Sequence, residues 1–196
     1  MRLFLLLPAL FLVSCNSKNR VAFKEDCQSL NEKYLKLSSE HEIDSALYYL
    51  DRTINCDSES DFFKFEKVKY YVSLGQYQNA YNYLDVIILK NESSYLTYKG
   101  ALGLKLNKPE AENLLRQAHT AYGKMSKKEI DKRSAATYKI SLDNYFLGKQ
   151  NAIEQITEYK SQPKKEEHEI QVIDFIENAI NTLDKKEVLL TIFNIK

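Results

Sequence analysis

At 196 residues the chain has the length of one domain, and 44% hydrophobic residues are enough to build a core. Only 5 Gly and 3 Pro occur, too few for the turns of an all-β protein, so the composition predicts an all-α fold. Charge argues against a nucleic-acid partner: 28 basic residues face 27 acidic ones, and without residues 1–14, which contain Arg2, the balance is 28 − 1 = 27 against 27. That leaves no basic excess to release counterions from phosphates.

Met1 and Arg2 form a minimal positive segment, and Leu3 to Val13 is an apolar run interrupted only by Pro8. This run is too short for a spanning helix, which takes about 20 residues, and it reads as a signal peptide over 1–14. It ends in Leu12-Val13-Ser14-Cys15, which resembles the lipobox of bacterial lipoproteins. The resemblance implies that Cys15 becomes the first mature residue, carries thioether-linked acyl chains, and begins a lipidated tether over 15–24. Several acyl chains, at about 0.8 kcal/mol per buried CH₂, would make a stable membrane anchor. Asn16 stands where Asp resembles an inner-membrane retention signal, so the expected address is the cell envelope, on the outer membrane facing the periplasm.

From residue 25 onward the chain repeats. Cys27–Ser60 and Asp61–Ser94 align at a period of 34, which superposes Ala46 on Ala80. The string Leu74-Gly75-Gln76-Tyr77 followed by Ala80 resembles a tetratricopeptide repeat. In that arrangement Gly75 turns the chain between helix A and helix B, Tyr77 fills the space under the turn, and Ala46 and Ala80 let the helices approach. Tyr95 to Leu106, a turn at Asn107-Lys108-Pro109, and Ala111, Leu115 and Ala118 form a looser third copy. A charged stretch from Ala121 to Lys132 then leads into a fourth copy, with helix A over Ser134–Phe146, a turn at Leu147-Gly148-Lys149, and Ala152, Ile156 and Tyr159 on helix B. Pro163 ends it and pushes Gln162 away from helical geometry.

The resemblance covers 25–163 and implies a right-handed α-solenoid of antiparallel helix pairs, although the tryptophan common in helix A of the family is absent. After it, Ile170, Ile173, Ile176, Ile180 and Leu183 recur at helical spacing, and Asp184 reads as the N-cap of a last apolar segment, Val188 to Ile195. Solenoids need terminal units to cover the last repeat, so 166–196 is assigned to C-terminal capping helices.

Cys27 begins the first helix A and Cys56 ends the first helix B, positions that lie side by side in an antiparallel pair. An exported chain would be free to join them in a disulfide; two unpaired buried thiols are the alternative. The three histidines, His41, His119 and His168, fall into no metal-ligand spacing, and no phosphate loop, dinucleotide fingerprint or nucleophile elbow is present. Neither a metal site, a cofactor nor enzymatic activity is therefore expected.

Tyrosines crowd the middle repeats, as core or as contact surface. By register, the family's concave face corresponds here to Asn31, Leu35, Phe62, Phe65, Lys69, Lys99 and Asn144, a groove for an extended peptide or partner helix. Leu35 departs from the Asn of the carboxylate-clamp subset, so an acidic chaperone tail is not the implied ligand. The function expected from these signals is a membrane-anchored interaction or assembly lipoprotein with a protein partner. The alternative is a small-ligand or glycan-binding helical lipoprotein, which would show a closed, aromatic-lined pocket.

Overall fold

Asp26 opens the first helix of the computed structural model, its carboxylate accepting a hydrogen bond from the Gln28 backbone N–H at 3.2 Å. The structure describes residues 26–88, 92–130, 133–163 and 166–196. The signal peptide, the tether and Cys15 lie outside the described residues. Among those described the chain is all-helical, with no strand.

The elements, in order, are α1 (Cys27–Ser39), α2 (Ile43–Cys56), α3 (Asp61–Ser73), α4 (Tyr77–Tyr83), a 3-10 turn over Leu84–Val86, α5 (Ser93–Lys105), and α6 (Ala111–Gly123). They continue as α7 (Lys127–Ile130), α8 (Arg133–Leu147), α9 (Lys149–Ser161), α10 (Glu167–Thr182) and α11 (Lys185–Ile192).

The turn chemistry recurs. After α1, α3 and α5, one residue takes a left-handed conformation: His41 at φ 63°, Gly75 at φ 71° and Asn107 at φ 54°. In each case the next N–H reaches back into the last turn, as when Gln76 N donates to the Tyr71 carbonyl at 2.8 Å and Lys108 N to that of Gly103 at 2.8 Å. These Schellman closures satisfy carbonyls that the helix end would otherwise leave open. Only one of the three is a glycine; Asn tolerates the left-handed region better than most side chains, and His is enriched there too.

Small side chains then set the packing of each following helix. Ala46, Ala80, Ala118 and Ala152 are wholly buried and Ala111 nearly so. Between α5 and α6 glycine does the same work from the other side. A Cβ on Gly100 would lie 2.6 Å from Leu115 Cγ, and one on Gly103 would lie 2.9 Å from the Ala111 Cβ. The helices α1 and α2, α5 and α6, and α8 and α9 pack as neighbours in sequence.

The second helix B is short. α4 stops at Tyr83, and Ile87 is extended, with φ −76° and ψ 134°. Val86, Ile87 and Ile88 are all β-branched and lose rotamer freedom in a helix. Asp61 offers an alternative partner, its Oδ1 accepting from Ile88 N at 3.0 Å.

At the far end Gln162 is extended before Pro163. Glu166 and Glu169 form a reciprocal capping box on α10, and Asp184 caps α11 by accepting from the backbone N–H groups of Lys186 at 2.8 Å and Glu187 at 2.9 Å. α11 then reaches beyond the terminal pair, onto α8 and back to α5. Leu189, Phe193 and Ile195 share one buried cluster with Val68, Leu102 and Leu115, while Val188 joins Ile140, Ile156 and Ile176.

Candidate functional site

The expected groove residues divide into three environments. Leu35 on α1 and Phe62 at the start of α3 are 53% and 63% exposed, and Lys69 is exposed and paired with Glu66. Asn31 is half-buried, and half-buried Phe65 stands edge-on to Tyr98 with ring centroids 5.4 Å apart. Lys99 turns its ammonium inward, to the Asp85 carboxylate and to Tyr95 Oη at 3.2 Å. Asn144 is 5% exposed and lines no accessible surface. The linker differs here: only Gly148 separates α8 from α9, where three residues separate α1 from α2 and α3 from α4, so a register counted back from the turn does not carry over to α8.

Lys99 belongs to a recurring device. Lys33 stands over the Tyr49 ring at 5.3 Å and Lys67 over the Tyr83 ring at 4.7 Å, pairs that superpose under the 34-residue period. Lys67 also bonds Asp51 of the preceding helix, as Lys99 bonds Asp85. Burial is the largest influence on both lysines and opposes the charge, but the hydrogen bonds to Asp51 and to Asp85, together with the attraction of those carboxylates and of the neighbouring phenols, outweigh it and hold each ammonium above the ordinary lysine value. Lys33 and Lys67, Tyr49 and Tyr83, and Asp51 and Asp85 each recur at 34 in the sequence, the signal that would have found this device, while Lys99 stands two residues closer to its Asp85 than Lys67 does to Asp51.

Behind it, Tyr81 donates its O–H to Glu110 Oε1 at 2.6 Å. Burial, then that bond, raises the Tyr81 phenol above its usual value, and the same bond holds the Glu110 carboxyl below its own.

Asp143 is the hub of a second polar group. Its buried carboxylate lies 2.6 Å from His119 Nε2 and is bonded by Lys139 and Gln155. All three partners come from α6, α8 and α9, so the group ties those helices together. His168 is exposed and paired with Glu166 at 3.1 Å. Among the described residues no three His, Cys, Asp or Glu side chains gather as metal ligands.

Cys27 and Cys56 are joined in a disulfide, with Cα atoms 5.6 Å apart. Gly75 takes its left-handed conformation between α3 and α4, Ala80 is wholly buried, and half-buried Tyr77 accepts a hydrogen bond at its Oη from the Lys196 N–H, 3.0 Å away.

A 330 Å³ cleft between α7, α8 and α9 is walled by Met125, Ile130, Ile140 and Tyr159, with Lys139 and Gln155 at its polar side. Among the described residues, Tyr159 is its sole aromatic lining residue. No described helix is long and apolar enough to cross a membrane.

No family model, curated protein or solved structure matches this chain.

Proposed function

We propose that this protein is a lipid-anchored interaction or assembly protein of the cell envelope, a right-handed α-solenoid of antiparallel, tetratricopeptide-like helix pairs that docks another protein on its helix A face. Cys15 would supply the membrane attachment, and anchorage would raise local concentration where the partner resides. No catalytic residue is assigned.

One observation carries the proposal. On α1 and α3 the side chains Leu35 and Lys69 remain exposed, whereas α5 and α8 are covered by the chain's own α11. Phe193, just past α11, stands between Tyr98 and Tyr138, with ring centroids 4.7 and 5.0 Å away. An amphipathic helix with an aromatic anchor is therefore a shape this face accepts, and the uncovered half offers room for a second one.

Photocrosslinking in intact cells from Leu35 and from Lys69 tests it. Both positions should yield the same stoichiometric protein adduct, and the adduct should vanish when Cys15→Ser removes the anchor. Adducts from neither position would overturn the proposal.

The second reading, a small-ligand or glycan site, would fall at the 330 Å³ cleft by Lys139, Gln155 and Tyr159, whose described lining has one aromatic ring where that reading expects several. It predicts ligand-induced thermal stabilisation that Tyr159→Ala abolishes.

A further inference from the structure

One end of the first helices is both apolar and acidic. The Cys27–Cys56 bond fixes the start of α1 to the end of α2. Only residues 57–60 separate that point from α3 at Asp61, whose Oδ1 accepts from Ile88 N at 3.0 Å. That hydrogen bond brings the Ile88 backbone, with Val86 two residues before it, to the start of α3, where Phe62 follows Cys56 by six residues. Val86 and Ile88 flank buried Ile87 and are 51% and 58% exposed, beside the still more exposed Phe62.

Among the described residues that flank this patch in sequence, the exposed charges without an ion pair are carboxylates, while Lys90, between Ile88 and Glu92, lies outside the described residues. Asp57, Glu59 and Glu92 are exposed and make no ion pair among the described residues. Asp26 adds a further carboxylate, occupied as the α1 cap. Lys64 does not balance them, being buried against Asp61, and Lys99 is taken up by Asp85.

We propose that this end binds a cationic amphipathic segment of a partner protein, with apolar side chains on Phe62, Val86 and Ile88 and Lys or Arg side chains on Asp57, Glu59 and Glu92. The charge selects the occupant. An anionic lipid surface attracts basic segments by about 1 kcal/mol per residue and repels acidic ones. A second copy presenting the same end would set like charges against each other. The inference rests on the protein-binding reading, and Phe62 shares a face of α3 with Lys69; Ile88→Ser and the Asp57→Lys, Glu59→Lys pair lie outside the expected groove, so they separate failure of binding here from failure of crosslinking there.

The test is fluorescence anisotropy of a labelled amphipathic Leu–Lys peptide added to the full chain in neutral detergent, with empty micelles as blank. The peptide should bind, and Phe62→Ser and Ile88→Ser should each weaken it by about tenfold. The pair Asp57→Lys with Glu59→Lys should abolish it. Leu147→Ser, at an equally exposed apolar position on α8, should leave it unchanged. All four variants should keep the parent's circular-dichroism melting curve, since every substituted side chain is exposed. Equal binding by the serine variants would reduce the effect to unspecific charge attraction and overturn the proposal. So would phosphatidylglycerol vesicle binding that the serine variants lose, or peptide binding that appears only after residues 16–24 are deleted, which would make Lys18, Arg20, Phe23 and Lys24 the occupant.

Discussion

Phe193 meets Tyr98 edge to face, with ring centroids 4.7 Å apart, and through that contact the end of the chain is built into its middle. Tyr98 also carries Phe65 on α3 at 5.4 Å, so one aromatic row joins three separate stretches of chain. Removing a buried Phe costs the lost transfer energy plus a cavity term, about 3 to 5 kcal/mol. Phe193→Ala should lower stability by that amount in urea unfolding. A loss below about 1 kcal/mol would mean that α11 is a loosely held appendage.

Gly100 and Gly103 on α5 should resist the substitution that usually favours a helix. In an exposed helix, Gly→Ala gains about 1 kcal/mol. Here the added Cβ at Gly103 meets the Ala111 Cβ at 2.9 Å and its Cα at 3.3 Å, atoms that move only with the backbone. At Gly100 it meets the Leu115 side chain, which can rotate, and the Ala111 carbonyl at 3.2 Å. Both alanine variants should lose about 1 to 3 kcal/mol, Gly103→Ala more than Gly100→Ala. A rise in melting temperature for either would show that α5 and α6 are not in close contact.

Much of the helical layout was legible because it is written locally. Ala46, Ala80, Ala111, Ala118 and Ala152 carry a small-residue period, Asp184 is a cap by type and position, and Pro163 fixes the backbone before it. The early end of α4 was not legible, since Leu84 and the apolar run Val86–Ile88 suit a helix as well as an extended segment until Asp61 supplies a partner. Neither was the landing of α11 on α5, a contact between distant parts of the chain that no local period encodes. Within the expected groove, Leu35, Phe62 and Lys69 are exposed, but Asn144 lies inside, on a helix that only Gly148 separates from the next.

Tyrosine ionisation should couple to unfolding at alkaline pH. Burial, then the nearby Glu66 carboxylate, pushes the Tyr34 phenol up to about 12; burial likewise pushes Tyr122 up to about 12. Between the unfolded value near 10 and the folded value the native state holds more protons, so stability falls as pH rises through that window and is fully present below it. Ultraviolet titration of phenolate should therefore show a late fraction of tyrosines that appears together with loss of helical circular dichroism. Complete ionisation near pH 10 with the helix intact would contradict the burial of these rings.

Asp51 should matter more than its exposure suggests. It is the counter-ion of Lys67, whose side chain is only 11% exposed, so Asp51→Asn leaves a buried ammonium without its charge partner. The expected cost is about 1 to 3 kcal/mol. Glu66→Gln, at the half-exposed Lys69 pair, should cost less than about 1 kcal/mol. Because the Lys67 value is raised in the folded state, the Asp51 contribution is present at neutral pH and lost as pH rises through that raised value. Equal effects at the two sites, measured by a double-mutant cycle, would make the recurring Lys–Asp pair a surface feature only.

The Cys27–Cys56 bond closes a loop with a sequence separation of 29. In the chain-entropy model a loop of that size is worth about 3 to 4 kcal/mol, gained by restricting the unfolded chain. Alkylation without reductant should label neither cysteine, and reduction should lower the unfolding midpoint. Because the bond ties the start of α1 to the end of α2, the first effect of reduction should be faster amide exchange in α1, while Leu102, Leu115 and Ile156 in the later helices keep their protection. Uniform loss of protection along the whole chain would instead show that the first helices and the α11-centred core unfold as one unit.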